Sequence, residues 1–214
     1  MASTLRVSCS IWTCGRLSRV DADEVEDQLW LVRHGETEWS KSGRHTSITD
    51  LPLTEDGEAA ALKVAPELAG LDFVQVLTSP RQRARHTADL AGFPGAKVDD
   101  DLAEWAYGDY EGRTTVEIRR TDPDWTIWTR PCPGGETAEQ VATRLDRVVG
   151  RARAADGNTL VFGHGHALRA LAARWLGLEV SEGRLLVLDT ATISVLGVDR
   201  GTSVVREWNV TATG

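Results

Sequence analysis

The chain is poor in cysteine: Cys9, Cys14 and Cys132 are the three it has. Three unevenly spaced thiols are too few for a disulfide framework or a four-thiolate zinc site, so the usage reads as that of a reducing cytoplasm. No apolar run comes near the roughly 20 residues that a membrane helix needs. Positive charge is also in deficit. Lys and Arg number 24 against 32 Asp and Glu, a formal net charge of −8, which argues against nucleic acid or an anionic membrane surface as a partner. A phosphorylated substrate stays open, because a few arginines focused in one cleft outweigh the global sign. Repeats and low-complexity linkers are lacking after residue 28.

What remains is ordinary globular material. At 214 residues, 41% hydrophobic and 26% charged, the chain fits a single domain able to bury most of its apolar surface. The first 27 residues stand apart. Met1 to Val20 carries Arg6, Arg16 and Arg19 and no acid, and Asp21 to Asp27 is then strongly acidic. Ile11-Trp12 is too short for the apolar core of a secretory signal. We expect a disordered extension over 1–27, with a start codon set too early or an organellar transit peptide as the other readings, and one domain over 28–214.

Within that domain, strands and helices alternate. Leu29-Trp30-Leu31-Val32, Phe73 to Leu77 and Asn158 to Phe162 are short apolar runs of the kind that buried parallel strands show. Leu185 to Leu188, Ile193 to Val198 and Val204 to Trp208 read as later strands. Helices are expected over Glu55 to Ala69, which Pro66 should kink or shorten, over Arg81 to Leu90, over Glu136 to Ala155 and over Ala167 to Leu176. Such alternation implies an α/β fold, a mostly parallel sheet covered on both faces.

The first three strands each end at a turn that bears a histidine or has an arginine close by: His34, Arg83 and His164. Ligands in open α/β sheets bind beyond the carboxyl ends of the strands. Phosphoryl transfer needs an in-line nucleophile, cationic donors for the equatorial oxygens and an acid for the leaving oxygen. A neutral imidazole qualifies as nucleophile if a backbone acceptor holds its other nitrogen, and arginine's planar fork suits phosphate. Arg33-His34-Gly35 offers nucleophile, clamp and a glycine for close approach. Arg83 falls at a helix start, where the dipole also favours an anion. Glu104 lies beside Trp105 and Tyr107, whose surroundings would raise its pKa by desolvation, and His164 adds a further donor.

At these residues the chain resembles the histidine phosphatase superfamily, the phosphoglycerate-mutase-like fold. The resemblance runs from about residue 28 to the end. It rests on Leu31-Val32-Arg33-His34-Gly35-Glu36-Thr37, on Ser79 to Ala88 with its Arg-Ala-x-x-Thr-Ala core, on the segment from Glu104 to Glu111-Gly112, and on His164-Gly165. It implies a three-layer sandwich, a phosphohistidine intermediate on His34, phosphate partners Arg33, Arg83 and His164, proton donor Glu104, and no metal or cofactor. Glu38 to Gly43, Asp50 to Thr54 and His164 to Arg169 look most like the sedoheptulose-bisphosphatase and bacterial acid phosphatase branch, which implies a distal substrate region near Ser40, Thr46 and Arg169. Four departures from true mutases count against isomerisation. Ser40 stands where they usually have Asn, His166 where they have Gly, and an Asn-Lys pair after the Glu104 segment is missing, while the stretch from Gly112 to Gly134 is shorter than their lid.

The expected activity is hydrolysis of a small phosphorylated metabolite, with a cofactor-dependent phosphoglycerate mutase and a catalytically silent phosphate-binding regulatory module as alternatives. The oligomeric state is open, a homodimer included. Plainer readings exist for single residues. His164 and His166 together could bind a metal, Arg169 could cap or pair on its own helix, His45 and His86 read as surface or helix residues, and Trp39, Trp105, Trp125 and Trp128 read as core.

Overall fold

The computed structural model describes residues 27–213; the expectation for 1–27 falls, Asp27 apart, outside the described residues. Six strands form one sheet. They are β1 (Leu29–Arg33), β2 (Gln75–Thr78), β3 (Lys97–Val98), β4 (Thr159–Gly163), β5 (Thr192–Asp199) and β6 (Thr202–Thr211). Their spatial order is β3-β2-β4-β1-β5-β6. The first four in that order run parallel, while β5 and β6 are antiparallel to their neighbours.

The helices are α1 (Glu38–Lys41), α2 (Glu55–Leu68), α3 (Gln82–Leu90), α4 (Thr115–Arg119), α5 (Ala138–Arg153) and α6 (Gly165–Trp175). Successive residues of a strand point to opposite faces, and β1 is buried on both. Leu29 and Leu31 join Val141, Leu145 and Val148 of α5 and Leu168 and Leu171 of α6 in one core. Trp30 and Val32 join Val64 and Leu68 of α2 and Ala88 of α3 in the other. This is the three-layer sandwich that the unbroken apolar runs imply. Pro66 lies inside α2, which ends two residues later at Leu68. No helix among the described residues is long and apolar enough to cross a membrane.

Two expectations need correction. Leu185 to Leu188 is not a strand: a 3-10 turn covers Val180–Leu185 and irregular chain follows. The edge of β1 that such a strand would need is taken by β5, and the outer edge of β5 by β6. The second strand begins at Gln75 rather than Phe73, because Phe73 is used sideways, its ring edge-on to Trp30 and Phe93 at 5.8 Å from each.

The sheet order places the carboxyl ends of β2, β4 and β1 next to one another. Arg33 pairs with Gly163 across β1 and β4, and Thr78 pairs with Phe162 across β2 and β4. The turns that leave these strands carry His34, Ser79 and His164 side by side.

Candidate active site

His34 is 5% exposed and held at both ends. Its backbone N–H donates to the Gly163 carbonyl at 3.0 Å, and its Nδ1 lies 2.7 Å from the Gly35 carbonyl oxygen. A carbonyl only accepts, so the proton of the neutral ring is on Nδ1 and Nε2 carries the lone pair. Burial first, then the charges of Arg83 and Arg33, push the His34 pKa well below the usual histidine range. The ring is therefore a neutral base at neutral pH, oriented by the main chain. Gly35 is required: a Cβ there would sit 2.4 Å from the Gly57 carbonyl oxygen.

Behind His34 lie Arg83 and His164, both fully buried. The two histidine rings are 5.0 Å apart, edge to face. Arg83 Nε donates to His164 Nδ1 at 3.2 Å, so the His164 proton is on Nε2, which donates to Ser79 Oγ at 2.6 Å. The rest of the Arg83 fork goes to the carbonyls of Thr46, Ser47 and Thr49. Arg83 and His164 thus form the wall behind the nucleophile candidate, not the lining of the cleft in front of it.

That cleft, about 180 Å³, is lined by Arg33, His34, Ser40, Thr46, Glu104 and Arg169 among the residues expected from sequence. Arg33 donates through Nη1 to the Leu188 carbonyl, while its buried Nε has no partner. Glu104 is 7% exposed and receives three backbone N–H groups, those of Trp105 at 2.8 Å, His166 at 3.0 Å and Ala167 at 2.8 Å. The last two open α6, so the helix N-terminus fixes the carboxylate. Arg169 packs over the Trp128 ring at 4.6 Å and donates to the Gly183 carbonyl. Ser40 is committed locally, its hydroxyl closing a capping box with Thr37 at the start of α1. The Thr46 hydroxyl donates to the Arg44 carbonyl.

Sequence reasoning missed several lining residues: Arg44, His45, Tyr107, His166 and Leu188. His45 is not a surface residue. It is half-buried, with its ring 4.8 Å from Tyr107 and 5.3 Å from Trp125, and burial lowers its pKa to about 4. His166 Nδ1 lies 2.6 Å from the Tyr107 hydroxyl. Each has a faint signal, Tyr107 in the Glu104 segment and His166 two residues after His164. His86 does sit on a helix, α3, beside Glu58. Trp105 and Trp125 are core; Trp39 and Trp128 are half-buried. Among the described residues no group of three or more His, Cys, Asp or Glu is placed to hold a metal ion.

Burial is the first cause of a lowered pKa at His34, His45, His164 and His166. Below about pH 6.5 these rings protonate in the unfolded chain but stay neutral in the folded one. The unfolded state then binds more protons, so stability falls as pH drops, until about pH 4 for His45. Each ring that stays neutral contributes a loss approaching about 1.4 kcal/mol per pH unit. Urea unfolding at pH 7.5 and 5.5 should show a clearly lower midpoint at 5.5; equal midpoints would contradict the neutral, buried histidines.

A model of the histidine phosphatase superfamily, branch 1, matches residues 29–211 of the chain. Among curated proteins, an acid phosphatase of Mycobacterium tuberculosis is 44% identical over 179 residues, spanning 81% of this chain and 88% of that protein. Sedoheptulose 1,7-bisphosphatase of Saccharomyces cerevisiae is 43% identical over 187 residues, 71% of this chain and 68% of that protein. Among solved structures, that of the open reading frame Rv3214 from Mycobacterium tuberculosis superposes with a TM-score of 0.84 at 40% identity, covering 87% of this chain and 98% of the other.

Proposed function

The chain belongs to the histidine phosphatase superfamily, and from that premise we propose that it hydrolyses small phosphomonoesters, phosphosugars or related phospho-acids, through a phosphorylated His34. The observation that carries the reading is the Nδ1 contact of His34 with the Gly35 carbonyl, which leaves Nε2 as the free nucleophile in a cleft shared with Arg33 and Glu104. The cleft is smaller than the roughly 300–1,000 Å³ of drug-sized ligand sites, which suits a small metabolite. Similarity to an acid phosphatase and to a sedoheptulose bisphosphatase points the same way.

In the first step the phosphate sits against Arg33, with Arg83 adding positive charge from behind and His164 holding the Arg83 guanidinium in place. His34 Nε2 attacks phosphorus in line. The P–O bond to the alcohol breaks, and Glu104 protonates the departing oxygen. In the second step a water attacks the phosphohistidine, Glu104 takes its proton, and the N–P bond breaks to release phosphate. Arg169, with the backbone near Ser40 and Thr46, contacts the part of the substrate distal to the phosphate. The arginines supply the charge that a metal would otherwise supply, so prolonged chelation should leave the rate nearly unchanged. We place the enzyme in the cytoplasm.

The mutase alternative is tested by following both products from 3-phosphoglycerate in one tube. Isomerisation requires water to be excluded while the acid is held for rephosphorylation. The short Gly112–Gly134 stretch and the locally committed Ser40 hydroxyl work against that. Free phosphate should form with little 2-phosphoglycerate, even with 2,3-bisphosphoglycerate added. Isomerisation much faster than phosphate release would overturn the phosphatase reading.

A further inference from the structure

Arg144 lies on the core-facing stripe of α5, between Val141, Leu145 and Val148, and is 8% exposed. A buried guanidinium is costly unless its donors are satisfied, and here they are satisfied by one short segment and its neighbour. Nε and Nη2 form a fork onto the Glu136 carboxylate at 2.8 and 3.0 Å. Nη1 donates to the carbonyls of Asp101 at 2.7 Å and Ala103 at 2.8 Å. Glu136 completes the grip from the other side. Its Oε2 accepts from the Ala106 N–H at 2.9 Å, its N–H donates to the Ala106 carbonyl at 2.9 Å, and its carbonyl accepts the Trp105 indole N–H at 2.9 Å. The two chains lie so close that a Cβ on Gly135 would stand 2.3 Å from the Ala106 carbonyl oxygen.

These contacts bracket one residue. The backbone is held at 103 on one side and at 106 on the other, with the Trp105 indole pinned between, and the residue they enclose is Glu104. We propose that Arg144 and Glu136 are positioning residues for the proton donor: their ion pair sets the height and direction from which the Glu104 carboxylate meets α6 and the leaving oxygen. Neither side chain lines the cleft; both act through the backbone on either side of Glu104. The inference rests on Glu104 being the general acid.

A misplacement of about 1 Å at a reacting group can cost on the order of 10²-fold in rate. The loss should fall on the step that needs the proton. The test measures kcat/KM, which reports formation of the phosphoenzyme, for glycerol 3-phosphate and for p-nitrophenyl phosphate, whose leaving group needs little protonation. Arg144→Lys keeps a buried cation but cannot reproduce the fork and both carbonyl bonds. It should lose roughly 10-fold to 10²-fold on glycerol 3-phosphate and much less on p-nitrophenyl phosphate. Glu136→Gln retains an acceptor for Ala106, so it serves if the lysine variant folds poorly, and should shift the ratio in the same direction by a smaller factor. Added to Glu104→Gln, neither change should move the ratio further, because the group they position is gone. Equal losses on both substrates would show a general structural role and overturn the proposal. So would a ratio shift that persists in the Glu104→Gln background. If Glu104→Gln alone spares the alkyl ester, the acid assignment itself falls, and the positioning proposal falls with it.

Discussion

Replacing His34 with alanine should lower turnover of every phosphomonoester by on the order of 10⁵-fold or more, the scale that follows removal of a covalent nucleophile. The loss should not depend on the leaving group, because the first bond to phosphorus no longer forms. The fold should survive. His34 is the first residue beyond β1, its backbone N–H donates to the Gly163 carbonyl irrespective of side chain, and alanine removes a buried polar ring without stranding a charged partner. Its Nδ1 contact is to the adjacent Gly35 carbonyl, which is the one acceptor left unsatisfied. Circular dichroism and the urea midpoint provide the control. A His34→Ala protein that is folded and keeps activity within tenfold of the parent would exclude His34 as nucleophile.

Replacing Glu104 with glutamine should lower kcat/KM toward an alkyl phosphate by roughly 10²–10⁴-fold, the usual size of general acid–base catalysis. Glutamine nearly matches the shape of glutamate, but one of its two terminal groups is a donor. Both Glu104 oxygens accept backbone N–H groups, Oε1 from Trp105 and Ala167 and Oε2 from His166, so the amide must set its NH₂ against at least one N–H. Some loss of stability is therefore expected alongside the loss of rate, and the substrate series separates the two. The rate loss should shrink markedly for p-nitrophenyl phosphate, whereas a misfolded site would lose both substrates alike. Equal losses would mean that Glu104 organises α6 rather than donating a proton.

The strand ends were the legible part of this molecule. Runs such as Leu29–Val32 and Leu160–Phe162 are apolar at every position, and only a strand buried on both faces uses all of them. Charged or imidazole side chains directly after such runs have to stand at the edge of the sheet, so the sequence itself groups Arg33, His34 and His164. Leu185–Leu188 has the same local composition and a different fate, because pairing partners are a property of the whole sheet and β5 already occupied the edge of β1.

The far wall of the cleft was not legible for the same kind of reason. The segment from Arg44 to Thr49 has no local pattern that marks it as a wall. It is fixed by distant residues. The Glu111 carboxylate accepts the N–H groups of Ser47 and Thr49 and the Ser47 hydroxyl, Arg83 ties its carbonyls, and Arg44 bridges to Thr114. His45, with no apolar run beside it, reads from sequence as an exposed residue and becomes a half-buried ring among Tyr107 and Trp125 only through those ties. Ser40 illustrates the opposite limit: its position beside the cleft was legible, but not that its hydroxyl is spent on capping α1.

The proposed mechanism requires a bond between phosphorus and His34 Nε2. It is tested most directly by quenching steady-state turnover of a ³²P-labelled substrate, mapping the label by proteolysis, and comparing its survival in acid and in alkali. We expect one labelled peptide containing His34, stable in alkali and lost in acid as a phosphoramidate is, and absent from His34→Ala. A label that survives acid as a serine or threonine phosphoester would contradict the account, and so would a phosphoramidate on a histidine other than His34.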